Sequence, residues 1–428
     1  MKISLITILF VFSIALCQTN DFNVTGAGAR AEGFGGAFIG LADDATAVVW
    51  NPAGLSQLER PEASIVTRLR GEVADFKDNT DPSYNASESQ RNFSLNFGSL
   101  ALPLKMGDTK IVIAAAFQRQ LDFYDSRKQQ REYTELGFPY SKYSQATIYE
   151  SRGGVNTITP ALGIKISPMI SLGLSANIWM GSNSTVERFE DSRYIQRDQD
   201  KFDIDFSGFN IVFGGLFDLE GMKNGIPLKF GFSLKTPFTL KGTGVYDRDR
   251  TLSANSSEKF DVSQDIAMPL MFGVGTSYRI GENLTVAADY EMRNYGSKQI
   301  SSTATLQGTG ISGTASQDIS ESKQDLNEFR IGAEYLIVLD KGVIPLRGGF
   351  KTVPSVLADY IYDNASGTYI PTQNQTKGNG FAVGSGFISG SFALDITYSY
   401  SSYSQKYDPD GQIDFSFGTL GSSVIIYF

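Results

Sequence analysis

The sequence predicts an all-β fold: a transmembrane antiparallel β-barrel of about fourteen strands with an N-terminal, partly helical hatch plugging its lumen. Three observations predict it. Apolar and charged residues alternate at every second position along several stretches. Short turns alternate strictly with long polar segments. No apolar run beyond the first residues approaches the roughly 20 that a spanning helix needs.

The chain opens on Met1-Lys2, then "ISLITILFVFSIA" and "ALC". A charged start, a short apolar run and small residues predict a signal peptide over Met1 to Cys17. A retained anchor competes poorly because the run is too short, and a lipoprotein site at Cys17 because Leu16 is bulky. Cys17 is the only cysteine and the chain has no histidine. Ser-His-Asp and Cys-His catalysis and the common zinc ligand sets are thereby excluded, so no enzyme, metal or cofactor is expected. The 46 Asp and Glu show no sharp motif, and the net charge of -9 argues against nucleic acid, which needs clustered Lys and Arg.

The strands follow in order. In "LKFGFSLK", Leu228, Phe230, Phe232 and Leu234 oppose Lys229, Gly231, Ser233 and Lys235. "LTVAADYEMR" sets Leu284, Val286, Ala288, Tyr290 and Met292 against Thr285, Ala287, Asp289, Glu291 and Arg293. "FRIGAEYLIVL" opposes Phe329, Ile331, Ala333, Tyr335 and Ile337 to Arg330, Gly332 and Glu334, and "FALDITYSY" opposes its apolar face to Asp395 and Thr397. A soluble β-sandwich competes seriously for any one of these strands. The end of the chain favours the membrane: "GTLGSSVIIYF" puts Leu420, Val424, Ile426 and Phe428 on one face, and a terminal aromatic is a familiar assembly signal of bacterial outer-membrane barrels.

Turn lengths agree. "KMGD", "SPM", "LEGMKNGIP", "IGEN", "DKG" and "SGS" read as short turns. The long polar segments are Lys77 to Arg91, Asp125 to Gly154, Val186 to Lys201, Gly244 to Ser257, Lys298 to Asp325, Pro354 to Asn379 and Ser404 to Asp414. Short periplasmic turns and long external loops put both termini in the periplasm of a Gram-negative-type bacterium, and lipid forces the sheet to close. Arg or Lys facing lipid at mid-membrane costs roughly 2 to 4 kcal/mol, so Lys229, Arg293, Arg330 and Arg347 are expected to face the lumen.

Residues 18–61 precede the barrel, which spans residues 62–428. They contain "LADDATAVVWNPAGL", expected to be a short helix capped by Asp43 or Asp44 and stopped by Asn51-Pro52. Its apolar residues, with Phe34 and Phe38, have a place to bury themselves inside the barrel, as a hatch.

Here the chain resembles the FadL-like family of outer-membrane transporters for long-chain fatty acids and other hydrophobic compounds. The resemblance rests on Gly36-Ala37, Ala42-Asp43-Asp44-Ala45-Thr46 and Asn51-Pro52-Ala53-Gly54-Leu55, and continues in "TPALGIKISPMISLGLSANI", "GFSLKTPFTLKGTG" and "FRIGAEYLIVLDKGVIPLRGGFKTVPS". It implies a hatch that moves to release cargo, with Asp43, Asp44, Asn51, Pro52, Ala53 and Gly54 as gating residues. It also implies sideways exit beside a kinked third strand. The family's Gly and Pro-Phe-Gly turn near that strand are missing from "KIVIAAAFQRQLDFYDS", Lys110 to Ser126.

The expected ligand is a long-chain fatty acid or another hydrophobic compound, against Phe38, Val48 and Trp50. Burying a sixteen-carbon chain gains on the order of 12 kcal/mol gross at about 0.8 kcal/mol per methylene, so release needs a part that moves. Arg293, Arg330, Arg347 and Lys351 are candidates for a carboxylate headgroup, in competition with lumenal ion pairs to Asp289, Glu291, Glu334 and Asp395. Phe138 to Tyr149, "FPYSKYSQATIY", is either a capture surface or a packed loop. Outer-membrane lipid is the expected surrounding, a monomer the expected state, and a protein-secretion partner at the outer membrane the alternative function.

Overall fold

The structure, a computed structural model, describes residues 26–428 except 83–84, 108, 136–140, 195–196, 254–255, 319–324 and 366. The signal peptide and the first eight residues of the expected hatch lie outside the described residues. Among the described residues no helix is long and apolar enough to cross a membrane.

Strands dominate. They are β1 (Glu62–Asp78), β2 (Ala86–Met106), β3 (Thr109–Asp122), β4 (Asp125–Glu135), β5 (Ser141–Lys165), β6 (Ile170–Asp191) and β7 (Arg197–Asp218). Next come β8 (Leu228–Lys235), β9 (Phe238–Arg250), β10 (Ser256–Met268), β11 (Met271–Ile280), β12 (Leu284–Arg293), β13 (Gln299–Leu306) and β14 (Ser312–Asp318). The chain finishes with β15 (Leu326–Leu339), β16 (Gly342–Asp363), β17 (Thr368–Ile388), β18 (Phe392–Asp408) and β19 (Gly411–Tyr427). All belong to one sheet.

At the end that carries both strand termini the sheet is a closed ring. Antiparallel ladders join β1 to β2, β2 to β3 and β3 to β5, then β5, β6, β7 and β8 in turn. The circuit continues through β11, β12, β15, β16, β17, β18 and β19. β19 then pairs with β1 from Glu62↔Tyr427 to Asp78↔Gly411, so no edge of this ring is left open. Closure is what lipid requires, because an unpaired backbone N-H or C=O has no partner there.

The alternation read from the sequence is the alternation of faces. Ile331 and Tyr335 are exposed on β15 while Arg330 and Glu334 are buried, and on β18 Leu394, Ile396 and Tyr398 are exposed while Asp395 and Thr397 are buried. Arg293, Arg330 and Arg347 all point inward and are buried, and Lys229 reaches Gln57 inside the ring. The exposed band Phe209, Phe213 and Phe217 on β7 gives the apolar outer surface its height.

The expected long loops are corrected. Most are ladder: β4 pairs with β5, β9 with β10, and β13 with β14, and β6, β7 and β16 to β19 run on past the ring. They read as polar because their outer faces meet water, as at Lys241, Thr243, Asp261 and Asp265. Their inner faces are apolar: Phe202, Ile204, Phe206, Leu240, Tyr246, Phe260 and Ile266 share one buried cluster. The segment expected as an aromatic capture loop is largely β5, and 138–140 lie outside the described residues.

Phe213→Arg, midway along the exposed band of β7, is expected to cost about 2–4 kcal/mol. A lowered urea midpoint for the barrel in lipid vesicles is the expected result; an unchanged one places Phe213 away from lipid.

Candidate functional site

The segment Gly26 to Leu58 lies within the ring and touches it all round. It begins with α1 (Ala29–Gly33), entered from Gly28, whose φ of 103 suits only glycine. α2 (Ala47–Trp50) follows and stops at Asn51, which is extended at φ -157 because Pro52 comes next. A 3-10 turn, Pro52–Gln57, completes the segment.

The expected cap is corrected. The N-cap of α2 is Thr46, with no side-chain cap bond. Asp44 instead accepts from Thr46 N at 2.8 Å, bracing the turn before the helix, and Asp43 pairs with Arg30. An aspartate two residues before an N–H competes with the cap for that role. Burial pushes the Asp44 carboxyl above the usual carboxylate range, against the pull of Arg30.

Wall side chains hold this segment largely by its backbone. The Asp289 carboxylate accepts from Phe38 N at 2.6 Å and Ile39 N at 2.8 Å, and Glu62 accepts from Ala45 N at 2.6 Å. Ser175 donates to Val48 O, Ser277 to Gly40 O and Thr397 to Ala29 O. Asn51 is the densest junction: its amide nitrogen donates to Ile39 O and to Gly215 O of β7, and its oxygen accepts from Ala53 N. Such short segments cannot satisfy their own backbone groups, so a polar wall does it for them.

The wall makes room with glycine. A Cβ on Gly214 would sit 2.3 Å from Asn51 Oδ1, and one on Gly173 would sit 2.1 Å from the Pro52 carbonyl carbon. Pro52 and Ala53 therefore lie flat against β6 and β7. Gly54 is equally committed, since a Cβ there would fall 2.0 Å from Ala42 O.

Phe38, Val48 and Trp50 are buried together in the hatch cluster. Trp50 meets Phe38 edge-on at 6.2 Å, and its indole N-H donates to Ala27 O at 2.9 Å. These residues fill the hatch rather than line an open cavity, although Trp50 also borders the charged cavity described next.

The basic residues fall into two groups. Arg293 and Arg330 share Glu291 and Glu328 at 2.7 to 3.4 Å, and Arg330 lies over the Trp50 ring at 5.4 Å. Arg347 bridges Glu334 at 2.6 Å and Asp395 at 2.5 Å, and Glu334 continues the chain to Arg30 of the hatch at 3.2 Å. For these three arginines the ion-pair ladder is the arrangement found. Lys351 differs: among the described residues it has no ion pair or hydrogen bond.

Lys351 lines a cavity of about 120 Å³ between hatch and wall, with Glu32, Arg68, Arg70, Glu328 and Arg330. Arg68 pairs with Glu32, and Arg70 lies over Phe417 at 4.7 Å. Arg30, Glu32, Arg68, Arg70 and Glu62 are site residues that the sequence reading missed. Their signal was present: the alternation of β1 continues inward from Glu62 through Ser64 and Val66 to Arg68 and Arg70. Among the described residues no group of three or more His, Cys, Asp or Glu is placed to hold a metal.

The third strand is broken despite the missing motif. β3 ends at Asp122, β4 starts at Asp125, and the register against β5 shifts between Arg119 and Leu121. Above Phe97↔Gln118, β2 and β3 no longer pair. Side chains span that gap, with Asn92 donating to Asp122 at 2.6 Å and Arg127 3.6 Å from Glu88.

Solved structures of FadL-like barrels share this fold. A FadL homologue from Pseudomonas aeruginosa matches with a TM-score of 0.64 at 12% identity, covering 95% of this chain and 99% of that one. The toluene transporter TodX of P. putida matches at 0.63 and 14% identity, covering 95% and 99%. The toluene transporter TbuX of Ralstonia pickettii matches at 0.60 and 16% identity, covering 95% and 100%. At these identities the likeness is one of fold. No curated protein sequence matches. The sequence model of the BamG family matches residues 30–335, and the chain belongs to that family.

Two substitutions test this geometry. Gly214→Val pushes on Asn51 and Pro52 and is expected to speed tryptic cleavage within the hatch about tenfold, equivalent to about 1.4 kcal/mol of docking; an unchanged rate contradicts the close approach. Arg347→Ala leaves the buried Asp395 carboxylate without its cation and Glu334 with Arg30 alone, and is expected to cost roughly 3–5 kcal/mol, whereas a thermal midpoint equal to the parent's contradicts the pairing.

Proposed function

We propose that the chain is an outer-membrane channel for uptake of hydrophobic small molecules, long-chain fatty acids or hydrocarbons, gated by movement of the N-terminal hatch. We read its ring as a barrel of about fourteen strands with both ends in the periplasm. The observation that carries the reading is how the hatch is held. It is a separate folded segment, attached to the barrel by hydrogen bonds and ion pairs around its perimeter. The transporters named above share that fold and carry toluene by their descriptions, which supports the same cargo class here.

Asp43, Asp44, Asn51, Pro52, Ala53 and Gly54 are the gating residues in this reading, because they bind hatch to hatch or hatch to wall at its tightest points. Lys351 is the headgroup residue: its ammonium is the one candidate cation without an ion pair among the described residues, and it borders the cavity. Arg293, Arg330 and Arg347 set the positive field around it and hold the wall together. Phe38, Val48 and Trp50 become an apolar contact surface when the hatch shifts.

Binding and uptake of a panel of lipophiles by the reconstituted barrel, intact and with Thr19 to Arg60 removed, tests the function. Selective uptake that needs the hatch is expected. Absence of binding by either form overturns it in favour of a protein-secretion partner. Lys351→Ala is expected to weaken a long-chain carboxylate by about tenfold, as loss of a charge-assisted contact does, and to leave toluene unchanged; equal effects on both remove Lys351 from the headgroup role.

A further inference from the structure

Where the hatch meets the start of β1, buried carboxylates outnumber the cations beside them. Arg30 pairs with Asp43, with Asp44 at 3.9 Å and with Glu334 at 3.2 Å. Arg347 serves Glu334 and Asp395. Glu62, the first residue of β1, completes the group by accepting from Ala45 N, the residue after Asp44. Among the described residues two arginines, Arg30 and Arg347, therefore stand against five carboxylates, and Asp44, Glu62, Glu334 and Asp395 are all buried.

Asp44 and Glu62 are the two left short. Glu334 and Asp395 each have an arginine within 2.6 Å, and Asp43, partly open to water, is bound to Arg30. Asp44 reaches Arg30 only at 3.9 Å and otherwise accepts from Thr46, and Glu62 has no ion pair among the described residues. The groups that face Glu62 are Asp43, Asp44 and Arg30 of the hatch and Tyr427, its ladder partner on β19. On its other side β2 offers only Ala101, and Arg60 turns away over the Tyr427 ring and to Gly390 O.

An ionised carboxylate buried without a cation is strongly unfavourable, and taking up a proton relieves it. Burial already holds the Asp44 carboxyl above the usual range. A proton costs the docking contact nothing: carried on its other oxygen, it leaves Glu62 free to accept from Ala45 N.

We propose that the docked hatch holds a proton at the Asp44 and Glu62 pair, so that a rise in pH loosens the hatch from its seat. When the hatch leaves, Asp44 departs with it and Glu62 meets water. Both then behave as ordinary carboxylates with pKa values of about 4, and the proton passes to water. The docked state thus binds more protons than the undocked one. Docking is strongest at low pH and weakens by up to about tenfold for each unit of rise, until the pair ionises in the docked state as well. Use of this release in transport rests on the gated-channel reading; the proton link itself rests on the charges around Glu62.

Proteinase K cleavage of the hatch in the reconstituted barrel reads the undocked population, since cleavage follows the open form when reclosing is fast. The comparison is with Glu62→Gln, which keeps an oxygen for Ala45 N and cannot ionise; dividing one rate by the other at each pH cancels the response of the protease. The parent's rate relative to the variant's is expected to rise about tenfold between about pH 6 and about pH 7.5. A ratio that stays flat, or one that falls, overturns the proton link. If Glu62→Gln fails to assemble, cleavage of the parent is divided by that of unfolded casein, and the same rise is expected and the same flat profile overturns it. A flat profile in a barrel whose uptake needs the hatch removes the proton and leaves the gate, whereas a rising profile in a barrel whose uptake ignores the hatch keeps the proton and removes the gate.

Discussion

The ladder between the first and last strands is the contact on which the rest depends. Seventeen residues of β1, from Glu62 to Asp78, pair with β19. Without it the sheet has two long edges whose N-H and C=O groups meet hydrocarbon, each unsatisfied group costing several kcal/mol. Closure also brings the entry of β1 beside the end of the chain, where Phe428 N donates to Pro61 O. The hatch is delivered into the ring from that same end.

Inside a closed ring the lumenal face is free to be polar, and the hatch uses that freedom. Its helices are too short to satisfy themselves, and the wall supplies serine, threonine, aspartate and glutamate where its carbonyls and N-H groups need partners. Glycines let the backbones meet, and three wall arginines are neutralised by carboxylates. One docking surface thus combines tight approach with contacts that water can replace. A dry apolar plug would lack that second property, which the proposed gating needs.

Strand faces were legible in the sequence because a barrel separates lipid from lumen residue by residue, as at Asp289 and Tyr290. The stop at Asn51-Pro52 was legible for a local reason, the restriction that proline places on its neighbour. The role of the Asn51 side chain was not, because its partners Ile39 and Gly215 are 12 and 164 residues away. Asp44 looked like a helix cap because spacing alone cannot tell a cap from a brace of the preceding turn. The far-end strands were hidden for another reason: outside the membrane the two faces exchange roles, polar outward and apolar inward, so their mixed composition reads as loop. Arg68 and Arg70 escaped notice because β1 lacks the strong outer apolar face that marks β12 and β15.

The central claim is that the hatch must leave its seat for cargo to pass. Ser56 of the hatch and Ser171 of β6 have hydroxyls 2.7 Å apart, a separation suited to a disulfide between cysteines at the same positions. Uptake of a lipophile by proteoliposomes carrying Ser56→Cys with Ser171→Cys, in a Cys17→Ser background, tests the claim most directly. Uptake that stops when the pair is oxidised and returns on reduction is the predicted result. Equal uptake by the oxidised and reduced forms would contradict a moving hatch and leave the segment as a fixed part of the wall.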